Sequence, residues 1–159
     1  MSIESYPFGL RTILQAQKSR SQPASFRISE PRRGYAYMQE IGTDMPVFWS
    51  VVFCFTVSEA IRFKLWFKHS INNGLDEFTM PIRTEYGLID HVCRFLPDGL
   101  LDPTEQGGLW MYKATILARA EIVPTEYDDA ADIIIANPNW EELGSWLDIA
   151  MVIEWPEAA

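Results

Sequence analysis

The chain has 159 residues, a net charge of −9 and 48% hydrophobic residues, among them 6 Trp, 9 Phe and 6 Tyr. That is one domain's worth of sequence, with enough apolar side chains to bury a core that needs neither metal nor disulfide. Only 2 Cys and 2 His are present, too few and at no recognised spacing for a zinc site, and too few for a disulfide-stapled secreted scaffold.

Cys54 and Cys93 each fall in a strand-like apolar run, so two reduced, buried thiols are expected. No apolar run approaches the roughly 18 residues of a membrane span. Met1-Ser2-Ile3-Glu4-Ser5 lacks the basic start and apolar stretch of a signal peptide, so synthesis in a cytosol is the expectation. The charge is unevenly placed. Through Arg119 there are 13 basic and 12 acidic residues, whereas from Ala120 onward there are 10 acidic residues and no basic ones. Between residues 11 and 33 the bias reverses, with Arg11, Lys18, Arg20, Arg27, Arg32 and Arg33 against Glu30 alone. Ends of opposite charge can mark a nucleic-acid arm and an acidic tail, or ends that meet each other within a chain or between copies.

In chain order, residues 1–31 are polar and broken by Tyr6-Pro7-Phe8-Gly9 and Gln22-Pro23, which predicts an extended arm that packs on something else. Pro31-Arg32-Arg33-Gly34 is a turn feeding a strand over Tyr35 to Ile41. A hairpin from there into the next strand, Val47 to Phe55, is the simplest connection. In that strand Trp49, Val51, Phe53 and Phe55 recur at period two and should form a buried face. Thr56-Val57-Ser58-Glu59 has the spacing of a capping box and opens a helix over about residues 57–72. Asn73-Gly74 suits a left-handed cap at its end.

This helix carries two apolar sides. Ala60, Phe63, Trp66, Phe67 and Ile71 cover one, and Val57, Ile61 and Leu65 the other, with Lys64 and Lys68 one turn apart between them. The plainer reading is a core helix whose lysine stems reach to water. The sharper reading is that one side meets its own sheet and the other a neighbouring subunit. The surplus around Phe63, Trp66 and Phe67, with Lys64 and Lys68, is the candidate contact.

Beyond the helix, Glu77 to Pro81 and Tyr86 to Leu96 read as strands. Trp110, Tyr112, Ala114, Ile116, Ala118, Ala120 and Ile122 then alternate without a break, which predicts a long antiparallel strand with one buried face. After Pro124 the composition turns acidic. Ile133-Ile134-Ile135 is a short strand candidate. A helix over about 139–154 follows, capped through Asn139 and Glu142. The domain expectation is therefore an arm over 1–31, a core over 32–124 and an acidic extension over 125–159.

Motifs for chemistry are few. Asp90-His91-Val92-Cys93 puts an imidazole and a thiol on one strand face, the raw material of a nucleophile, but parallel neighbours on one strand do not converge on a substrate. His69 near a helix end suits the helix dipole. There is no phosphate-binding glycine loop and no nucleophile elbow. Asp128 and Asp129 read as a solvated face. The arginines from Arg11 to Arg33 could touch phosphates, but no aromatic or helical platform surrounds them. Neither a cofactor nor nucleic acid is expected as a ligand.

Residues Ser25 to Arg119 resemble the minor tail proteins of tailed bacteriophages, the tail-tip class found near the tape-measure protein. The resemblance is carried by an ordered series. Arg33-Gly34-Tyr35 comes first, then Phe48-Trp49-Ser50-Val51-Val52-Phe53. A helix with Glu59-Ala60 follows, running through Trp66-Phe67 to Gly74. Phe78-Thr79-Met80-Pro81 and Trp110-Met111-Tyr112 close the series. The chain departs from the family at Phe78 and Met80-Pro81, where a tryptophan ahead of Thr-Pro is usual, and in the acidic segment after Pro124. Those departures keep open an adaptor, nozzle or decoration position in the virion.

The resemblance implies a mainly β (α+β) chain, an antiparallel β-sandwich or barrel with one flanking helix. It also implies assembly as a ring with copies of itself and other tail proteins, in the virion tail, after synthesis in the host cytoplasm, and no catalysis. The basic arm around Arg11 to Arg33 is expected to reach the acidic segment of a neighbour, with Arg32, Arg33, Asp128 and Asp129 as candidate interface residues. Two other classes compete: an acidic nucleic-acid mimic acting through its C-terminal carboxylates, and a hydrolase built on Cys93 and His91.

Overall fold

The computed structural model describes residues 2–11, 13, 17–97 and 102–143. The chain is mainly β and α+β in class, and it divides into two compact units, Met1–Ile122 and Val123–Ala159. In the first unit the strands are β1 (Glu4–Ser5), β2 (Ser19–Ser21), β3 (Phe26–Ser29), β4 (Tyr37–Glu40), β5 (Val47–Thr56), β6 (Phe78–Thr84), β7 (Gly87–Phe95), β8 (Thr104–Gln106) and β9 (Leu109–Ala118). Helix α1 (Val57–His69) lies between β5 and β6. Seven strands form one mixed sheet in the order β1-β6-β7-β9-β5-β2, with β8 also paired to β9. The β1–β6 pair is parallel, and the remaining ladders of this sheet are antiparallel.

β5 and β9 form its spine, paired along their whole length from Val47↔Ala118 to Thr56↔Leu109. Alternation then decides the faces. Val47, Trp49, Val51, Phe53 and Phe55 of β5 turn inward together with Tyr112, Ala114, Ile116 and Ala118 of β9. Phe78, Met80 and Ile82 of β6 and Cys93 and Phe95 of β7 complete the inner face. α1 lies against that face. Its Phe63 ring sits 5.0 Å from Phe55, 5.6 Å from Phe53 and 5.5 Å from Tyr112.

The sheet curls. β2 and β6 are separated by four inter-strand steps, ~19 Å in a flat sheet at about 4.8 Å per step. Yet Arg20 on β2 hydrogen-bonds the Glu85 carboxylate, in the turn after β6, at 2.7 and 2.9 Å. Lys18 donates to the carbonyl oxygen of Arg83 close by. The mainly β expectation therefore takes the form of one curled sheet with a helix across its inner face. Apart from it stands a two-stranded ribbon, β3 with β4.

α1 begins as its sequence suggests. The Thr56 hydroxyl accepts from the Glu59 N–H at 3.5 Å. The other half of the capping box is not made, because Glu59 turns its Oε1 to Arg11 at 3.3 Å. The helix ends at His69 rather than near residue 72. It closes on a right-handed Ser70 whose N–H bonds the Trp66 carbonyl at 2.8 Å, so the left-handed turn follows the helix and does not cap it. Asn72, Asn73 and Gly74 then take positive φ of 48°, 59° and 88°, a turn that only such residues form cheaply.

Several expectations give way to tertiary pairing. The strand beginning near Tyr35 does not form a hairpin with β5, since both β5 edges are taken, by β9 and β2. β4 pairs instead with β3, Ile28 opposite Met38 and Phe26 opposite Glu40. β9 stops at Ala118, not Ile122, because its partner β5 begins opposite, at Val47. Residues 4–11 and 13 are built into the body. Tyr6 donates its N–H to Thr79 at 2.8 Å and its hydroxyl to the Arg11 carbonyl at 2.7 Å, and Leu10 and Ile13 join the core.

The second unit is described by itself. α2 (Thr125–Asp129) and α3 (Ala131–Ala136) are short helices, and residues 140–143 are helical. Ile133, Ile134 and Ile135 therefore lie in a helix rather than a strand. Ala130 and Ala131 start it, the Ile134 N–H reaches the Ala130 carbonyl at 3.0 Å, and Asn137 bonds the Ile133 carbonyl at 2.8 Å. The rest of the helix expected over 139–154 lies outside the described residues.

Candidate functional site

The Cys–His pair does not form an activated nucleophile. Both side chains point into the core from β7, at 1% and 2% exposure. The Cys93 thiol donates to the His91 carbonyl oxygen at 3.4 Å, and the His91 ring nitrogen Nδ1 engages the Ile89 carbonyl at 2.8 Å. Burial pushes the thiol up to about 12 and the imidazole below its usual value. A neutral thiol beside a neutral imidazole is a packed core pair. Among the described residues no group of three or more His, Cys, Asp or Glu could hold a metal, and no helix is long and apolar enough to cross a membrane.

α1 divides its apolar residues differently from the expected contact. Phe63 and Trp66, at 1% and 9% exposure, belong to the chain's own core. Trp66 also donates its indole N–H to the Ser5 carbonyl at 3.1 Å and meets Phe78 edge-on at 5.3 Å. The surplus lies on the other side, where Val57, Ile61 and Leu65 are 54%, 56% and 54% exposed. At i, i+4 and i+8 they form one stripe. Bulky rings fill the hollow of a curled sheet better than three smaller side chains do, which explains why the aromatic side faces inward.

Between the two sides Lys64 and Lys68 edge a groove of about 310 Å³, lined also by Phe63, Phe67, Asn73, Pro103 and Tyr112. Its walls come from α1, the left-handed turn, β9 and the residue before β8. Phe67 is half-buried and held from behind by Gly74, where a Cβ would sit 3.0 Å from the ring. Neither lysine has a carboxylate within ion-pair distance among the described residues.

The β3–β4 ribbon carries a further exposed apolar patch. Register puts Phe26, Ile28 and Met38 on one face, and all three are exposed. Tyr35 and Tyr37 are exposed as well. Arg32 and Arg33 lie in the connection between the two strands and have no carboxylate partner among the described residues. The basic residues before them are engaged within the unit: Arg11 with Glu59, and Arg20 with Glu85 and Glu121. Sequence reasoning missed this ribbon face. The signal was present in the alternation Phe26-Arg27-Ile28 ahead of a Pro-Arg-Arg-Gly turn, with Tyr37, opposite Ser29, on the other face.

A second, shallower hollow of about 530 Å³ lies where the sheet closes, lined by Lys18, Arg20, Trp49, Arg83, Thr84 and Glu85. Lys18 and Arg20 stand over the Trp49 ring at 5.2 and 5.6 Å. The cations there are largely compensated by Glu85, Glu121 and a backbone carbonyl. In the second unit Asp128 and Asp129 are exposed on α2, with Glu126 and Asp132 exposed nearby.

Fold and surface together define a mainly β protein with a packed core and apolar surface left open on the ribbon and on the outer side of α1. Compared with protein-family models, with curated proteins and with solved structures, the chain matches none of them.

Proposed function

We propose that this chain is a structural subunit of a tailed-phage virion, of the minor tail class, that assembles as a ring through subunit interfaces and does no catalysis. Its partners in that role are copies of itself and other tail proteins, and its place is the virion tail. Adaptor, nozzle and decoration positions are variants of the same role. The observation that carries the proposal is apolar surface left open beside a finished core: Phe26, Ile28 and Met38 on the ribbon, and Val57, Ile61 and Leu65 on α1. A two-stranded ribbon is marginal alone in water, so one with an apolar face gains most by docking. Exposed Arg32 and Arg33 on the ribbon and Asp128 and Asp129 on α2 suit a heterologous contact, basic on one copy and acidic on the next, the kind that closes into rings.

Mass measurement and electron microscopy of the purified protein test this. Rings of fixed copy number are expected, and a protein that stays monomeric at its highest soluble concentration overturns the proposal. The second reading, a nucleic-acid mimic, is favoured by the exposed carboxylates of Glu126, Asp128, Asp129 and Asp132. It predicts competition with DNA for a basic partner, lost when those four residues are neutralised.

A further inference from the structure

The groove beside α1 combines features that the core does not require. Its floor is aromatic, from Phe63, Phe67 and Tyr112, and its rim bears Lys64 and Lys68. Like charges one helical turn apart work against the helix that carries them. Among the described residues no carboxylate offsets them. The chemistry that fits is a flat apolar side chain on the aromatic floor, bracketed by two carboxylates that reach the two ammonium groups.

This chain carries such a group. Glu154-Trp155-Pro156-Glu157 sets a tryptophan between two carboxylates three positions apart, in a stretch from Ala120 onward with 10 acidic residues and no basic ones. It lies beyond the described residues. Tyr127, between Glu126 and Asp128, and Trp140, ahead of Glu141 and Glu142, pack edge-to-face on each other at 6.0 Å and are already engaged.

We infer that the α1 groove is the seat for Glu154, Trp155 and Glu157 of a second copy of this chain. The tryptophan lies on Phe67 and Tyr112, and the carboxylates pair with Lys64 and Lys68. This rests on the self-assembly proposed above and names one of its interfaces. Because each copy carries one groove and one such segment, the contact is head-to-tail and propagates from copy to copy until it closes.

Charge reversal from both sides tests it in the full-length protein, read by sedimentation. Lys64 and Lys68 are exposed, so their reversal leaves the core intact, and far-ultraviolet circular dichroism checks that. The doubles K64E/K68E and E154K/E157K are each expected to weaken self-association by about tenfold or more, two exposed ion pairs becoming two repulsions. An equimolar mixture of the two doubles restores it, because every groove then meets a segment of opposite sign. Trp155→Ala weakens association at unchanged charge.

If wild type assembles and both doubles assemble equally well, the groove is not the seat, and the assembly proposal stands without it. If the mixture fails to recover while the quadruple variant does, the segment occupies the groove of its own chain, and the inference is overturned. If wild type does not associate at all, the assembly proposal falls first and this one with it.

Discussion

Arg20 holds the Glu85 carboxylate through two hydrogen bonds, 2.9 Å from Nη1 and 2.7 Å from Nη2. One residue is on the edge strand β2 and the other in the turn between β6 and β7, so this pair records how far the sheet has curled. The same guanidinium reaches Glu121 at 3.2 Å and stands over the Trp49 ring. Replacing Arg20 by Ala removes a bidentate ion pair and a cation–π contact at a partly exposed site. A loss of about 1 kcal/mol is expected in urea unfolding, and Arg20→Lys, which cannot reproduce the fork, recovers less than half of it.

Acid should reach this clasp before the core. Glu85 is held below its ordinary value by a hydrogen bond from its own backbone N–H and then by Arg20, and Glu77 by Arg119. Their folded values are depressed, so their stabilisation is present above the ordinary glutamate range, about 4.3, and is lost as the pH falls through the lowered values. Glu85 is largely exposed, and Glu77, itself half-buried, pairs with an exposed Arg119, so the effect is small. Comparing urea midpoints of wild type and the E77Q/E85Q double across that range should show a shallower acid limb in the double, and identical limbs would remove the claim.

Gly74 should tolerate a side chain worse than other glycines of the same backbone class. At φ +88° an added Cβ is strained and also lies 3.0 Å from the Phe67 ring, whereas Gly87 at φ +103° has nothing within 4 Å. Gly87→Ala should cost about 1–2 kcal/mol from backbone strain alone. Gly74→Ala should cost more and perturb the groove at Phe67, visible as an altered near-ultraviolet aromatic spectrum.

The two thiols should differ sharply. Cys93 is in the core and raised by burial to about 12, whereas Cys54 is half-buried on the opposite face of the sheet. In the folded protein at mildly alkaline pH a thiol reagent should modify Cys54 first and Cys93 only on unfolding. For Cys93 the folded value is raised, so its contribution to stability is full below the ordinary thiol range and drains away as the pH climbs from there towards about 12.

The outer stripe of α1 separates folding from assembly. Ile61→Glu and Leu65→Glu act at positions 56% and 54% exposed, so stability should move by no more than about 0.5 kcal/mol. Phe63→Ala, in the core, should cost about 3–5 kcal/mol. If the stripe is an interface, the two surface variants lower self-association while their unfolding midpoints stay put.

Local signals were legible where one residue pattern had one physical solution. The period-two run of β5, the alternation of β9 as far as Ala118, the Thr56 cap and the left-handed turn at Asn73-Gly74 each follow from sterics and burial within a few residues. The mainly β class followed from them. The groove's residues were half legible, since Phe63, Lys64, Phe67 and Lys68 stood out as a cluster on one helix, but Asn73, Pro103 and Tyr112 join them only through the fold.

What the tertiary structure alone decided were the choices between equal local options. α1 has two apolar sides, and the concavity of a curled sheet, not helical periodicity, selected Phe63 and Trp66 for the inside and left Val57, Ile61 and Leu65 out. β4 found β3 because β9 and β2 had taken both edges of β5. The three isoleucines at 133–135 became helical beside alanines that favour it. Arg20 and Glu85, 65 positions apart, met because the sheet closes on itself. A sequence specifies which faces are apolar, and the competition for edges and volume specifies which of those faces is covered.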